Sequence, residues 1–424
     1  MSKKILSMLL VCVMCISACF AFASCGEDGG DKLGMSASPL AIETPVADFQ
    51  VASDFKIGFI CLHDENSTYD KNFIDAAYRM KTALGLTDAQ FIIKTNVPEG
   101  DECRQEAEAL AAAGCKIVFA NSFGHEDYMI QAAQAYPNVQ FCHATGTKAH
   151  TQGLANFHNA FASIYEGRYL AGIVAGLKLN EMIAEGKITA DKAVMGYVGA
   201  FTYAEVISGY TSFYLGAKSV CPTVQMKVRF TGSWYDQPKE QEAANALIAA
   251  GCVLISQHAD SMGAPTACEV AGVPNVSYNG STYEACQDTF LISSAINWTP
   301  YYMYIAKCVT NGTAIDADWC GGIAEGSVVL TGLNLDVVAE GSLDAVNTAI
   351  AAFKAGTLHV FDTDNFTVGG NKISDSHMAD VDTDAAYTPD TDVVADGYFQ
   401  ESEFRSAPYF DLRIDGITLL NEEY

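Results

Sequence analysis

Paired aromatic and polar side chains follow the predicted strands of this 424-residue chain. In parallel α/β sheets, the loops after the carboxyl ends of the strands meet at one edge, and ligands bind there. Aromatic faces stack on a flat ring, while Asp, Asn, Ser or His side chains form hydrogen bonds with its edge. The pattern therefore predicts a cleft for a flat heteroaromatic ligand. The residues predicted to contact the ligand are Asn66, Tyr69, Ser122, Phe123, Phe201, Trp234, Asp236, His258, Asp260, Asn279 and Trp298.

One segment in this set contains the residue types of a hydrolase triad, namely His258, Asp260 and Ser261. Triad members normally converge from separate elements, and no G-x-S-x-G elbow surrounds Ser261. No Walker loop is present, and no G-x-G-x-x-G motif follows a strand. We therefore expect no catalytic residue and no cofactor.

Three histidines suggest a metal clamp of the kind found in metal-uptake binding proteins. His143, His150 and His158 are spaced by seven and eight positions and lack a carboxylate partner of known pattern. The acidic tail also lacks the spacing of a calcium loop. We therefore expect no metal site.

The first 25 residues have the pattern of a bacterial secretory signal. Two lysines precede the apolar run Ile5–Ala18, and small residues lead to Cys25. Because polar chain follows at once, Cys25 is predicted to carry a lipid, with residues 26–52 as a flexible tether. Processing before Cys19 and an ordinary N-terminal membrane anchor are the alternatives. The pattern predicts an extracytoplasmic lipoprotein at the bacterial cell membrane.

Composition excludes one class of partner. The chain has 24 basic and 51 acidic residues, a formal net charge of −27. Binding to nucleic acid through phosphates needs clustered Lys and Arg, so no nucleic acid is expected. The ten cysteines after Cys25 are scattered and form no CxxC pair. We expect most of them to be free, buried thiols.

The mature chain is too long for one core and shows two α/β units. Four β–α repeats lead into a crossing segment, Gln140–Leu179, after which the pattern restarts. Such repeats predict two parallel sheets with helices on both faces. In the predicted crossing helix 161–179, Gly172 and Gly176 would allow close approach of another backbone. The predicted division is 1–25 signal, 26–52 tether, 53–155 first lobe, 156–286 second lobe, 287–318 a return to the first lobe, 319–360 second lobe, and 361–424 an acidic extension.

From about Lys56 to His359, the chain resembles the basic membrane protein family of ABC-transporter substrate-binding lipoproteins. The segments that carry the resemblance are Asn121–Gly124, Phe141–Gly146, Ile164–Gly176, Ser233–Asp236, Gln257–Ser261 and Asn297–Tyr302. The resemblance implies a type I periplasmic binding protein, with two Rossmann-like lobes joined by three crossovers. It also implies a monomeric, non-enzymatic receptor that captures a purine base or nucleoside and delivers it to an ABC importer permease.

Within this resemblance, the rings of Tyr69, Phe123 and Trp234 are predicted to contact the base. The polar edge is predicted to be formed by Asn66, Ser122, Asp236 and Asp260. Asp260 is the stronger acidic candidate, because a carboxylate accepts the N–H donors of a purine. Asp236 is equally well explained as the N-cap of the following helix.

Two departures from the family pattern favour a bare base over a nucleoside. The nucleoside-binding members have an Asp-Lys-Ser-Phe-Asn-like segment after the first strand. Here Asp70–Phe73 matches that segment only in part and is displaced along a longer loop. Those members also have a Lys after the strand near residue 293, where this chain has Ser294–Asn297. The chain resembles the branch associated with purine bases such as adenine more than the nucleoside branch. A ligand-sensing receptor domain for a signalling partner would use the same cleft and is the alternative.

Overall fold

The computed structural model describes residues 42–373, 375–382 and 390–422. The predicted signal, the lipidation site Cys25 and the first part of the predicted tether lie outside the described residues. None of the helices within these ranges is both long enough and apolar enough to cross a bilayer.

Strands and helices alternate from the first described strand to residue 162. These elements are β1 (Ile57–Ile60), α1 (Thr68–Leu84), β2 (Phe91–Lys94), α2 (Asp101–Ala112), β3 (Ile117–Ala120), α3 (Glu126–Ala135), β4 (Gln140–Ala144), α4 (Ala149–Gln152) and β5 (Phe157–Ala162).

The alternation then resumes after one long helix. The elements up to residue 296 are α5 (Ile164–Ala184), β6 (Val194–Gly199), α6 (Ala204–Val220), β7 (Gln225–Phe230), α7 (Gln237–Ala249), β8 (Leu254–His258), α8 (Gly263–Ala271), β9 (Asn275–Tyr278) and β10 (Phe290–Ile296). The remaining elements are α9 (Thr299–Asn311), β11 (Asp318–Gly321), β12 (Val328–Leu330), α10 (Ser342–Lys354), β13 (Met378–Ala379), β14 (Thr391–Asp392), β15 (Val394–Ala395), β16 (Tyr398–Phe399) and β17 (Ile417–Leu419).

Local sequence signals explain where α1 begins and ends. The Ser67 hydroxyl caps its first turn by accepting a hydrogen bond from the backbone N–H of Asp70 at 3.2 Å. The helix ends at Gly85, which has φ +63°, a left-handed conformation that glycine adopts without steric cost. This cap fixes the position of the first turn of α1, which borders the site described below.

Two large sheets define two lobes. The first has the strand order β11-β5-β4-β3-β1-β2, and all of its neighbouring strands are parallel. The second has the order β12-β10-β9-β8-β6-β7-β17, in which β12 is antiparallel to β10 and the other pairs are parallel. The predicted α/β class with two parallel sheets is confirmed.

The chain crosses between the lobes three times, as predicted. The crossings are at Ser163, at residues 297–298 and at residues 322–327. Asn297 ties two of the crossings together, because its backbone N–H donates to Ser327 at 2.7 Å and its side-chain amide donates to Gly326 at 3.1 Å.

The strand pairing differs from the predicted division at each crossing. Phe157–Ala162 was placed in the second lobe and partly in a helix, but it pairs with β4 and β11 in the first sheet. Its six residues are buried on both faces, and such an apolar run cannot be told from a helix by periodicity alone. In the same way, β10 lies in the second sheet although residues 287–318 were predicted to return to the first lobe. Conversely, β11 lies in the first sheet although it extends past the predicted boundary at residue 318.

Helices α5 and α6 pack backbone against backbone in the second lobe. A Cβ added at Gly172 would overlap the carbonyl oxygen of Phe213, and one added at Gly216 would overlap that of Tyr169. The close approach predicted at Gly172 and Gly176 is therefore confirmed, and α5 is scaffold for the second lobe.

The C-terminal extension, residues 361–422 in its described parts, packs back onto the body of the protein. Its aromatic side chains Phe361, Phe366, Phe399 and Phe410 are buried in the main hydrophobic core. Its last strand, β17, adds to the edge of the second sheet in parallel with β7.

Candidate functional site

A cavity with about 380 Å³ of empty space, partly open to solvent, lies between the lobes. Seven strands end beside it, three from the first sheet and four from the second. The lining residues are Leu62, His63, Tyr69, Asp70, Ser122, Phe123 and Thr145 from the first lobe, and Glu205, Trp234, His258, Asp260 and Tyr278 from the second.

Direct hydrogen bonds join the two lobes beside the cavity. The backbone N–H and hydroxyl of Thr68 both donate to the carbonyl oxygen of Asp260, at 3.4 and 3.2 Å. The side-chain amide of Asn72 donates to the carbonyl oxygen of Asn279 at 2.9 Å. These contacts show that the lobes are in a closed arrangement.

A run of aromatic rings bridges the lobes over the cavity. The ring of Phe123 stacks on that of Tyr203, and Tyr203 stacks on Phe201, with centroids 5.1 and 5.0 Å apart. Phe201 in turn meets Trp234 edge-on at 5.0 Å. Phe123 and Trp234 both line the cavity, so this run presents aromatic surface to a bound molecule.

The first lobe contributes a hydrogen-bonded acidic corner. One oxygen of Asp70 accepts from the backbone N–H of His63 at 3.0 Å and from Asn121 Nδ2 at 2.7 Å, while the other lies 3.3 Å from His63 Nδ1. Burial raises the pKa of Asp70, but these hydrogen bonds outweigh burial, and the pKa lies below its usual value. Asp70 is therefore a fixed negative charge whose main role is to orient His63.

The neighbouring Tyr69 is also held in place. Its hydroxyl donates to the carbonyl oxygen of Asn121 at 2.6 Å. The ring packs against Phe73 at a centroid distance of 4.8 Å. The ring of Tyr69 thus reaches the cavity in a fixed orientation, with its hydroxyl already paired.

In the second lobe, Glu205 and His258 form a buried pair, with the carboxylate 3.3 Å from Nε2. Burial lowers the pKa of His258 despite the attraction of Glu205, so the ring is neutral near pH 7. These partners indicate that Nε2–H donates to Glu205, which leaves Nδ1 to accept from the Tyr197 hydroxyl at 3.5 Å.

Asp260 is the most perturbed acid of the cavity. Its side chain accepts a hydrogen bond from Asn279 Nδ2 at 3.3 Å. Burial, followed by repulsion from Glu240, Asp70 and Glu205, raises its pKa well above the usual value. A carboxyl group kept protonated in this way offers one O–H donor and one acceptor to a ligand.

Tyr278 supplies an unsatisfied polar atom. The residue is 1% exposed, and its hydroxyl has no hydrogen-bond partner among the described residues. A buried unpaired hydroxyl costs about 1–3 kcal/mol, and a bound ligand would remove this cost by pairing with it. The ring is held at a 4.2 Å centroid distance from His258 and lies 5.3 Å from the Arg168 guanidinium.

Arg168 braces the base of the cavity without reaching it. The guanidinium is fully buried and donates to the Ser256 hydroxyl at 2.5 Å and to the carbonyl oxygen of Ser277 at 3.1 Å. Because Ser256 lies in β8 and Ser277 in β9, Arg168 links α5 to both strands.

Backbone strain also occurs at the rim of the cavity. Thr145 has φ +67°, a left-handed conformation that is rare for a β-branched residue and costs about 1–3 kcal/mol. Asn279 has φ +63°, which Asn tolerates better. Strain of this kind tends to occur at ligand sites, where the surrounding structure imposes it.

The structure brings a subset of the predicted contact residues to the cavity. The predicted residues that line it are Tyr69, Ser122, Phe123, Trp234, His258 and Asp260. The Ser122 hydroxyl is already committed, because it donates to Glu99 at 2.5 Å. Of the predicted side chains, the cavity thus receives the rings of Tyr69, Phe123 and Trp234 and the acid at position 260.

Three other predicted residues lie close by and support the lining. Phe201 belongs to the aromatic run, and Asn279 holds Asp260. Asp236 is the N-cap of α7, where it accepts from the backbone N–H of Lys239 at 3.1 Å. Asp236 therefore caps a helix, which is the alternative that the sequence offered to ligand contact.

Asn66 and Trp298 are placed away from the cavity. Asn66 is exposed, and its side-chain amide donates to Asp64 at 2.8 Å. Trp298 is 1% exposed and stacks on Phe73 at 4.4 Å in the first-lobe core. A tryptophan directly before a helix can turn inward as readily as toward a cleft, and here it fills the core.

Six residues that line the cavity are not among the predicted contact residues. These are Leu62, His63, Asp70, Thr145, Glu205 and Tyr278. Most lie directly after a strand or at its end, which is a signal that the sequence carries. Asp70 and Glu205 instead lie in the first turns of α1 and α6, which a survey of loops does not reach.

The histidines considered as a metal clamp have separate partners. His143 Nε2 lies 2.7 Å from the Ser122 carbonyl oxygen, and His150 Nδ1 lies 3.2 Å from Asp318. His158 lies between Asp316 and Gln140. Across the described ranges, no group of three or more His, Cys, Asp or Glu side chains is placed to hold a metal ion.

Two lobes that close over an aromatic and polar cavity define a solute-binding protein of the type I periplasmic fold. The chain belongs to the family of PnrA-like ABC transporter substrate-binding proteins, whose family model matches residues 61–351. Substrate-binding proteins of ABC importers act outside the cytoplasm, which agrees with the predicted extracytoplasmic location.

The names of individual relatives refer to different ligands. A purine-binding protein of Brucella abortus is 35% identical over 277 residues, which cover 64% of this chain and 74% of the relative. A putative ABC transporter glucose-binding protein of Haloferax volcanii is 36% identical over 224 residues, 53% of each chain. The solved structure of an ABC transporter solute-binding protein from Conexibacter woesei has a TM-score of 0.57 at 20% identity, covering 72% of this chain and 98% of that one. At that identity, the structural likeness shows the fold alone.

Proposed function

We propose that the protein captures a purine base between its lobes and delivers it to the permease of an ABC importer. The observation that carries this proposal is that Asp260 and the unsatisfied hydroxyl of Tyr278 line the same aromatic-lined cavity. The purine-binding relative supports the same ligand class. We infer that the ligand is released chemically unchanged.

The aromatic lining matches the faces of a flat ring. Phe123 and Tyr69 line the cavity from the first lobe and Trp234 lines it from the second. Aromatic contacts of this kind contribute about 0.5–1.5 kcal/mol each beyond the area that they bury.

The acid matches the edge of the ring. A protonated Asp260 pairs one O–H donor and one acceptor with a ring nitrogen and an adjacent N–H group, as on an aminopurine such as adenine. The Tyr278 hydroxyl supplies a further polar contact from the same lobe. We therefore rank Asp260 and Tyr278 as the residues that select a nitrogen heterocycle.

Thermal denaturation with added ligand tests the proposal. We expect saturating adenine to raise the melting temperature by roughly 5–10 °C, adenosine to raise it less, and glucose to leave it unchanged. A protein that no nucleobase or nucleoside stabilises would overturn the ligand class. Stabilisation by glucose alone would assign a sugar instead, in line with the Haloferax relative.

We further propose that a lipid on Cys25 holds a monomeric receptor at the outer face of the cell membrane. The signal-like N-terminal pattern supports this anchor. Metabolic labelling with a fatty acid should mark the native protein and fail to mark Cys25→Ser. Loss of the label in Cys19→Ser, with labelling retained in Cys25→Ser, would move the anchor to Cys19. Size-exclusion chromatography with light scattering tests the monomer.

A further inference from the structure

The C-terminal extension lies outside the part of the chain that matches the family model, and it contacts both lobes. The family match ends at residue 351, and the extension starts at residue 361. Its first part packs on the second lobe, where Phe361 lies 5.3 Å from the ring of Tyr165 in α5. Its later part reaches the first lobe before it returns to the second.

Ser406 anchors the extension to the first lobe. The backbone N–H and the hydroxyl of Ser406 both donate to one oxygen of Asp318, at 2.9 and 2.8 Å. Asp318 begins β11, an edge strand of the first sheet. Its other oxygen lies 3.2 Å from His150, so the acceptor is fixed by the first lobe itself.

The second anchor follows within a few residues. The Arg413 guanidinium donates to the hydroxyl of Tyr210, in α6, at 2.6 Å. Strand β17 then pairs with β7, and the Asn421 side chain accepts from and donates to the backbone of Phe230 at 2.8 and 3.0 Å. All of these contacts are with the second lobe.

The stretch between the anchors is short and buried. From Ser406 to Arg413, the chain spans at most roughly 25 Å when fully extended. Ala407, Tyr409, Phe410 and Leu412 in this stretch are buried. Separation of the lobes must therefore break one anchor or pull buried side chains out of the core.

The extension also borders the ligand cavity. A second cavity, also partly open to solvent, shares Phe123, Thr145 and Glu205 with the first. Arg405 and Pro408 of the extension line its other side. Arg405 holds this wall together by donating to the carbonyl oxygens of Pro408 and Val381, at 2.7 and 2.8 Å, so the extension flanks the site at the interlobe cleft.

We propose that the C-terminal extension is a strap that ties the two lobes together, favours the closed arrangement and slows ligand exchange. The last part of this proposal rests on the proposed function, whereas the restraint on the lobes does not require any ligand. The strap thus adds to the family fold a built-in bias toward closure.

Interlobe distances in the ligand-free protein test the strap. Spin labels on Glu102→Cys in the first lobe and Glu242→Cys in the second report the separation. Both positions are exposed, and nine of the ten cysteines within the described residues are buried. We expect one short-distance population in the parent protein. Asp318→Ala, which removes the acceptor for both Ser406 bonds, should add a longer-distance population and speed adenine dissociation roughly tenfold.

Matched variants separate the strap from local effects. His150→Ala removes the other partner of Asp318 and should leave the distances unchanged. Tyr210→Phe removes the Arg413 bond but leaves the β17–β7 pairing and the Asn421 bonds. It should therefore add a smaller longer-distance population than Asp318→Ala, which keeps the test decisive if Asp318→Ala fails to fold. Parent-like distances in folded Tyr210→Phe and Asp318→Ala, or the same opening in His150→Ala, would overturn the strap. Absence of adenine binding with altered distances would overturn only the ligand.

Discussion

The ring of Phe123 in the first lobe stacks on the ring of Tyr203 in the second, with centroids 5.1 Å apart and planes inclined by 29°. The two side chains come from loops 80 positions apart in sequence, after β3 and β6. They remain 37% and 39% exposed, so the pair forms at the surface of the cleft and not in a core. Closure of the lobes therefore creates this contact, and Phe123 also lines the ligand cavity.

Replacing Phe123 should weaken ligand binding more than it weakens folding. Phe123→Ala removes both the contact with the ligand and the stack that closes over it, so we expect adenine affinity to fall roughly tenfold. The melting temperature of the ligand-free protein should change little because the side chain is partly exposed. Calorimetric titration measures the affinity, and Tyr78→Ala is the control because Tyr78 is 52% exposed and does not line the cavity. Equal affinities for the two variants would remove Phe123 from the site.

The raised pKa of Asp260 predicts which form of its side chain binds the ligand. If the raised pKa keeps the group protonated, Asp260→Asn preserves one donor and one acceptor and should retain affinity within a few-fold. Asp260→Ala removes both and should weaken adenine binding by about 10- to 100-fold. Affinity of the native protein should fall as pH rises through the pKa of Asp260, whereas that of Asp260→Asn should not.

Asp236 provides the matched control for this experiment. Asp236→Ala removes the N-cap of α7, which should lower the free energy of unfolding by about 0.5–2 kcal/mol and leave affinity unchanged. A large loss of affinity in Asp260→Asn, as great as in Asp260→Ala, would show that the ionised carboxylate is the binding form.

The fold was predictable where buried strands alternate with amphipathic helices. Strand β5 was missed because its apolar run fits a helix as well as a strand buried on both faces. Only tertiary pairing with β4 and β11 decides between them. The positions of β10 and β11 also depend on tertiary pairing, which decides the sheet that each strand joins, so the later predicted crossings were displaced.

The site was predictable where a side chain lies in the loop after a strand, as for Phe123 and Trp234. Glu205 was missed because it reaches the cavity from the first turn of a helix. Trp298 was placed at the ligand because its position relative to a strand matches that of a cleft residue, but the direction of its side chain depends on core packing around Phe73. The ends of strands can be predicted from the sequence. The direction in which a side chain points at such an end cannot, because it depends on tertiary packing.

Close packing of α5 on α6 predicts an intolerance to added methyl groups. Gly216→Ala would place a Cβ against the carbonyl oxygen of Tyr169, so the helices must separate. We expect the free energy of unfolding to fall by about 1–3 kcal/mol, as for other overpacked sites. Gly280→Ala is the control, because the nearest atom to its Cβ would be 3.7 Å away. Denaturant titration measures both variants, and equal stability would show that the helix pair adapts.

Buried carboxyl groups near the extension predict how stability changes with pH. Burial raises the pKa of Glu401 to about 8 and that of Glu166 to about 7, against about 4.3 in an unfolded chain. Between these values the folded state holds protons that the unfolded state has released. Each group therefore makes the free energy of unfolding fall as pH rises from about 4.5 toward 7 or 8.

Glu401→Gln isolates one of these contributions, because the amide cannot ionise. We expect the stability of the native protein to fall relative to that of Glu401→Gln as pH rises from about 4.5 to 8, measured by urea unfolding at each pH. Glu403→Gln changes an exposed neighbour and should give a curve parallel to that of the native protein. Because buried histidines such as His125 and His158, with pKa values of about 4, destabilise the fold on acidification, only the difference between variants assigns the effect. A constant difference between native protein and Glu401→Gln across this pH range would mean that Glu401 ionises normally in the folded state.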